Sequence, residues 1–114
     1  MSEAKARQVR AQREGTVEVE PGITLRYRRP TDGHMQVMRN LSPDAVCGLV
    51  IGWTGVTDAF LFGAAVGSSD ELEFSPELAL EVVGDRSAWL LKVAQAVAEA
   101  VRLHFELRNE VTKN

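Results

Sequence analysis

Thr16-Val17-Glu18-Val19-Glu20-Pro21-Gly22-Ile23-Thr24-Leu25-Arg26-Tyr27-Arg28 is the stretch that separates a mixed fold from a bundle of helices. Thr16 to Glu20 alternates polar and apolar side chains, the period of a strand with one face buried. Ile23 to Arg28 alternates again, with Ile23, Leu25 and Tyr27 on one side and Arg26 and Arg28 on the other. Pro21-Gly22 between them is a turn dipeptide. Two alternating runs joined in this way predict a β-hairpin.

Upstream, residues 1–14 are polar and charged, with no apolar periodicity that demands burial. They read as a flexible N-terminal arm or a short, fraying helix, which leaves 15–114 as a single domain. Downstream, Pro30 to Gly33 is a loop, and Met35 to Leu41 is a short helix or a connector. Ser42-Pro43-Asp44 combines a capping hydroxyl, a proline fit for the first helical position and a carboxylate at the positive end of the dipole. It predicts a helix over 43–51, with Gly52 as its left-handed stop and Trp53 in the turn that follows. Ser75-Pro76-Glu77 repeats the start signal for a second helix ending at Gly84. Asp85-Arg86-Ser87 opens a third and longest helix, running to about Asn109 or beyond. The fold class expected is therefore α+β, mainly α: an N-terminal β-hairpin, then short helices and one long C-terminal helix.

The long helix is broadly apolar. Trp89, Val93, Ala96, Val97, Ala100, Leu103, Leu107 and Val111 make one stripe at about 100° per residue, and Leu90, Leu91, Ala94, Ala98, Val101 and Phe105 widen it. One packing layer needs less than this. Either the helix is sandwiched inside the domain, or one side meets another molecule.

A chain of 114 residues and 12.5 kDa is one domain with a small core. The net charge of −3 argues against a general nucleic-acid binder. The charge is unevenly spread: Lys5 to Arg39 holds eight basic residues, and Asp44 to Asp85 holds eight acidic residues with no lysine or arginine. One cysteine, Cys47, excludes an internal disulfide and a cysteine-rich metal site, in keeping with a reducing cytosol. The polar N-terminus is no signal peptide, and the apolar region 45–66 is too broken by glycine and Asp58 to span a membrane. A soluble, cytoplasmic protein without membrane association is the expectation.

Catalytic chemistry is hard to assemble. His34 and His104 have no second ligand-type residue at metal spacing. Cys47 lacks a base and an oxyanion hole, and no phosphate-cradling glycine loop with a lysine is present. Glu71, Glu73 and Glu77 divide between one extended segment and the first turn of a helix. Arg26, Arg28, Arg29 and Arg39 form a basic patch with a single aromatic neighbour, Tyr27, too little for a nucleic-acid platform. No catalytic residue, cofactor or metal site is expected. Taken alone, these residues describe a small α+β domain and do not say what it does.

Two tryptophans, Trp53 and Trp89, read as core anchors or as partner contacts, since tryptophan is enriched at binding hot spots. Ala59 to Gly67 is apolar and glycine-broken, either a strand over the core or an apolar loop open to another protein.

The order of these pieces carries a resemblance. A hairpin ending in Leu25-Arg26-Tyr27-Arg28-Arg29-Pro30 is followed by Gly52-Trp53-x-Gly55-Val56-x-Asp58. Then come an apolar connection, Phe74-Ser75-x-Glu77-Leu78, a long alanine-rich helix and a Lys113-Asn114 ending. Over 16–114 this is similar to the small tail assembly chaperones of long-tailed bacteriophages and prophages. The connection over 59–69 departs from the pattern, being long and apolar where a short acidic or glycine turn is expected.

The resemblance implies a mostly helical, non-enzymatic protein of the bacterial host cytosol that binds the tape-measure protein, and tail-tube protein as well, during tail morphogenesis. It also implies a −1 ribosomal slip near the end of the reading frame, with which Thr112-Lys113-Asn114 is compatible. The expected partner-binding residues are Phe60, Phe62, Trp89, Val101 and Phe105, with the acidic stretch from Asp70 to Asp85 supplying orientation. A homo-oligomer is compatible with the same apolar surface. The alternative is a structural head–tail connector or tail-terminator subunit retained in the virion.

Overall fold

Pro21-Gly22 closes the hairpin as expected, with Gly22 at a φ of 85°. Strand β1 (Glu14–Glu20) pairs antiparallel with β2 (Ile23–Arg28), with a register shift between Glu18 and Glu20. The computed structural model describes residues 2–37 and 42–113. Helix α1 (Ser2–Ala11) precedes the hairpin and buries none of its residues. Helix α2 (Asp32–Val37) covers the first part of the segment read as a helix or connector, and residues 38–41 lie outside the described residues.

Ser42 caps helix α3 (Pro43–Leu49), its hydroxyl accepting from the Ala45 N–H at 3.2 Å. Here the sequence reading needs correction. The helix does not run to Ile51 and Gly52 is not its stop. The chain turns extended at Val50 and forms strand β3 (Val50–Thr54), which pairs antiparallel with β2. The residues explain the switch. Val50 and Ile51 are β-branched and stiff at χ1, which favours a strand over the end of a short helix. Gly52 sits opposite Arg26, and a Cβ there would lie 3.2 Å from the Arg26 guanidinium. Glycine is present for close approach, not for a left-handed turn. The three strands form one sheet in the order β1-β2-β3.

The connection over 59–69 is not a strand over the core: its first residues form a short helix, and residues 63–69 form an exposed loop. Thr57 caps a short helix α4 (Asp58–Phe62), accepting from the Phe60 N–H at 3.0 Å, and Gly63 ends it. Asp58 then folds the following loop back, its carboxylate accepting from the Ser68 N–H at 3.1 Å. Helix α5 (Pro76–Gly84) starts on Ser75, whose hydroxyl accepts from the Leu78 N–H at 3.1 Å. Helix α6 (Ser87–Lys113) is the long C-terminal helix. The architecture is α+β and mainly α, as read from the sequence.

One face of the sheet meets α3, α5 and α6. Val19, Ile23 and Leu25 from the hairpin, Val50 and Trp53 from β3, Val82 and Val83 from α5, and Trp89, Val93 and Val97 from α6 form the buried core. The two segments that carried the resemblance meet here. The Trp53 indole N–H donates to the Leu72 carbonyl at 2.8 Å, and its ring meets the edge of Phe74 at 5.1 Å and 84°. The Leu72 N–H donates to the Val56 carbonyl at 2.8 Å, and the Gly55 N–H to the Glu71 carboxylate at 2.5 Å. The Trp-x-Gly-Val and Phe-Ser-x-Glu-Leu elements are thus two halves of one structural clasp at the edge of the sheet.

Candidate functional site

Helix α6 carries two apolar stripes, and only one of them fills the core. Trp89, Val93 and Val97 recur every four residues and are buried against the sheet. The Trp89 indole N–H donates to the Glu20 carboxylate at 2.7 Å, and Lys92 donates to the Val19 carbonyl at 2.9 Å, so the first turns of the helix are pinned to β1. The second stripe is Leu91, Ala94, Ala98, Val101 and Phe105. Their spacings of three, four, three and four residues put them on one face, turned by roughly 120° from the core stripe at about 100° per residue.

That face is open. Leu91 is 59% and Phe105 is 42% exposed, Ala98 is exposed, and Ala94 and Val101 are half-buried against the core. The seam has large side chains at both ends and two alanines in the middle, a shape that lets a partner helix approach closely. A polar border runs beside it. Arg102 bridges Glu99 and Glu106 along the helix. These hydrogen bonds push the Arg102 pKa up and hold the Glu99 carboxyl below the usual carboxylate range.

The five residues expected to bind a partner do not form one patch. Trp89 is 2% exposed and belongs to the core. Phe60 stacks on it, ring centroids 5.7 Å apart and planes 19° from parallel, and the Arg86 guanidinium lies 5.2 Å from the Phe60 ring centre and 5.1 Å from that of Trp89. Phe60 is therefore largely structural. Phe62, 66% exposed, stands at the end of α4. Val101 and Phe105 lie on the open face of α6, and Phe105 is roughly 24 Å along the helix from Trp89 at 1.5 Å per residue. Leu91, Ala94 and Ala98 complete the seam. In the sequence they appeared only as a widening of the apolar arc, although their alternating three–four spacing was there to be counted. The acidic residues Asp70, Glu71, Glu73, Glu77, Glu81 and Asp85 are all exposed.

A second apolar feature is a groove of about 440 Å³ between α3, β3 and α5, lined by Cys47, Val50, Ile51, Phe74, Pro76 and Leu80. Cys47 is buried at its inner side, and burial, with Asp44 nearby, pushes its thiol pKa up. It is a protonated packing residue, not a thiolate nucleophile.

The remaining polar cluster joins distant elements. The Arg29 guanidinium donates to His104 Nδ1 at 3.1 Å, and His104 Nε2 lies 3.2 Å from Asp32, which also pairs with Arg108. A guanidinium has no acceptor, so Nδ1 is the acceptor and Nε2 carries the proton donated to Asp32. Burial, with Arg29 adjacent, lowers the His104 pKa, so the contact with Asp32 is a hydrogen bond donated by a neutral ring. No three His, Cys, Asp or Glu side chains gather as metal ligands among the described residues, and no described helix is long and apolar enough to cross a membrane. No family model matches this chain, and neither a curated protein nor a solved structure matches it.

Proposed function

We propose that this protein is a tail assembly chaperone that acts in the host cytosol by binding and without catalysis. It covers amphipathic helical segments of a tape-measure protein, and contacts tail-tube protein, until tube polymerisation displaces it. The observation that carries this reading is the open heptad-spaced face of α6, Leu91, Ala94, Ala98, Val101 and Phe105. A helix with i, i+3, i+4, i+7 anchors is the natural occupant of such a face. A tape measure that is a long amphipathic helix presents that pattern repeatedly. The order of segments over 16–114 supports the same reading.

The test is co-expression with a phage tape-measure protein, using a Leu91→Lys, Phe105→Glu double variant. Each of these side chains is worth about 1.5–3 kcal/mol when fully buried, and about half of that surface remains to be buried, so losing both lowers client affinity by roughly ten- to a hundredfold. The wild-type protein is expected to keep the tape measure soluble and the variant to let it precipitate, with the melting temperature of the variant nearly unchanged. Equal solubility with both proteins removes the seam from the mechanism. Recovery of the protein in stoichiometric amounts from purified particles replaces the chaperone by a connector or terminator subunit.

A further inference from the structure

The start of β1 and the end of β2 bring together guanidinium groups that the described residues do not fully neutralise. The Arg29 N–H donates to the Arg13 carbonyl at 2.8 Å, which sets these two residues side by side just beyond the strands. Two cavities meet at this pair and at Thr31. One, of about 190 Å³, has Arg28 and His34 on its polar side and Pro30, Leu49 and Ile51 as an apolar floor. The other, of about 420 Å³, reaches across to His104 and Arg108 on α6.

The charge balance is one-sided. Glu14 is shared between Arg28 at 3.0 Å and Arg26 at 3.9 Å, and Asp32 is taken by Arg108 and His104. Arg29 spends its two amines on the Pro30 carbonyl and on a neutral imidazole, neither of which is an anion. The Arg13 side chain has no hydrogen-bond or ion-pair partner among the described residues. Among the described residues, the Nε atoms of Arg13 and Arg28 are buried without an acceptor. The mutual repulsion of Arg13 and Arg29 is visible in a lowered Arg29 pKa, caused first by burial and then by Arg13.

We propose that this crevice is a binding site for a carboxylate carried by a peptide, held by the Arg13 and Arg29 guanidiniums, with a neighbouring apolar side chain resting on Leu49 and Ile51. Planar guanidinium groups match a carboxylate with two parallel N–H donors. The apolar floor directly beside the cations selects a peptide over a bare anion. A nucleic-acid strand fits poorly, because Tyr27 is the one aromatic residue on these strands and the whole chain is acidic. The site goes beyond the helix-binding reading and does not depend on it, since it lies off the α6 seam.

The experiment is a chemical-shift titration of the isotope-labelled full chain with three short peptides. The first is N-acetylated and C-amidated with an internal Glu-Leu pair. The second is identical but with Gln-Leu. The third carries Gln-Leu and a free C-terminal carboxylate. Shifts centred on Arg13, Arg29 and Thr31 with the first peptide and not the second assign the ligand as an acidic side chain. The same shifts with only the third assign it as a chain terminus. In both cases Arg13→Gln is expected to weaken binding about ten- to a hundredfold, the range for a hydrogen bond to a charged group. Lys5→Gln, which removes an equal charge from the exposed helix α1, is expected to leave binding unchanged. The proposal is overturned if all three peptides bind alike, if Arg13→Gln binds as wild type, if no peptide shifts these resonances at millimolar concentration, or if oligothymidine occupies the crevice more tightly than any peptide.

Discussion

Phe60→Ser and Phe62→Ser, two residues apart on α4, should behave as opposites. From sequence alone both are equivalent members of an apolar run. In the structure Phe60 is mostly buried and stacked on the Trp89 ring at 5.7 Å, with Arg86 over both, whereas Phe62 is 66% exposed. Complete removal of a fully buried phenylalanine costs about 3–5 kcal/mol. Phe60 retains some exposure and loses a stacked aromatic contact worth about 0.5–1.5 kcal/mol. A loss of about 2–3 kcal/mol follows for Phe60→Ser, which for a domain of this size lowers the melting temperature by about 10 °C. Phe62→Ser should remain within about 0.5 kcal/mol of wild type, a shift of about 2 °C. Urea denaturation followed by tryptophan fluorescence, with calorimetry alongside, measures both. The Phe60 variant should also change the native emission, because its partner is one of the two tryptophans. Equal melting of the two variants, in either direction, would falsify the division of α4 into a structural and a free side.

Gly55→Ala should be among the most damaging single-methyl changes in the chain. Gly55 has a φ of 90°, and a Cβ there would lie 2.0 Å from the Gly22 carbonyl oxygen, a backbone atom that cannot swing aside. Positive φ in a non-glycine residue costs about 1–3 kcal/mol before the clash is counted, so a total loss above about 3 kcal/mol is expected; a melting temperature within 3 °C of wild type, on the order of 1 kcal/mol, would refute the close approach of the two turns. His104 makes a pH prediction of definite sign. Its folded pKa lies below the ordinary 6.5 because of burial and Arg29, so the unfolded chain takes up the proton first. The contribution is full above the unfolded value and is lost as pH falls through 6.5 toward the lowered folded value. A proton-resonance titration should place the His104 midpoint below 6.5, and His104→Gln should flatten the stability profile in that window; a midpoint above 6.5 would show that Asp32 outweighs Arg29.

What the sequence disclosed and what it hid divide by range. The hairpin rests on alternation and a Pro-Gly turn within thirteen residues, and the α3 and α5 starts rest on Ser-Pro-acid triplets. Each is local, and each is present with the expected cap. Strand β3 is five residues long, follows a seven-residue helix without a turn, and exists because β2 offers it an edge more than twenty residues upstream. The β-branched Val50 and Ile51 favour an extended chain, but two residues beside a glycine that mimics a helix stop are too short a signal to reveal a strand without its partner. Arg13 was hidden for the same reason. It belonged to an arm with no periodicity, and only the pairing at the start of β1 sets it beside Arg29.

The breadth of the apolar arc on α6 left two readings open, a helix sandwiched in the domain or a helix with a free side. The structure shows why counting apolar residues could not choose between them. The core takes Trp89, Val93 and Val97 as its fully buried stripe, with Ala94 and Val101 packed partly against it. Beyond the core the same side of the helix leaves Leu103 and Leu107 exposed, and the three–four repeat leaves Leu91 and Phe105 in water. An exposed apolar face carries a standing risk of self-association, so its regular spacing is informative. Random surface leucines explain exposure but not a repeat whose small residues sit between large ones. A repeat matched to another helix explains both, and that is why the α6 face is the surface proposed above for client binding.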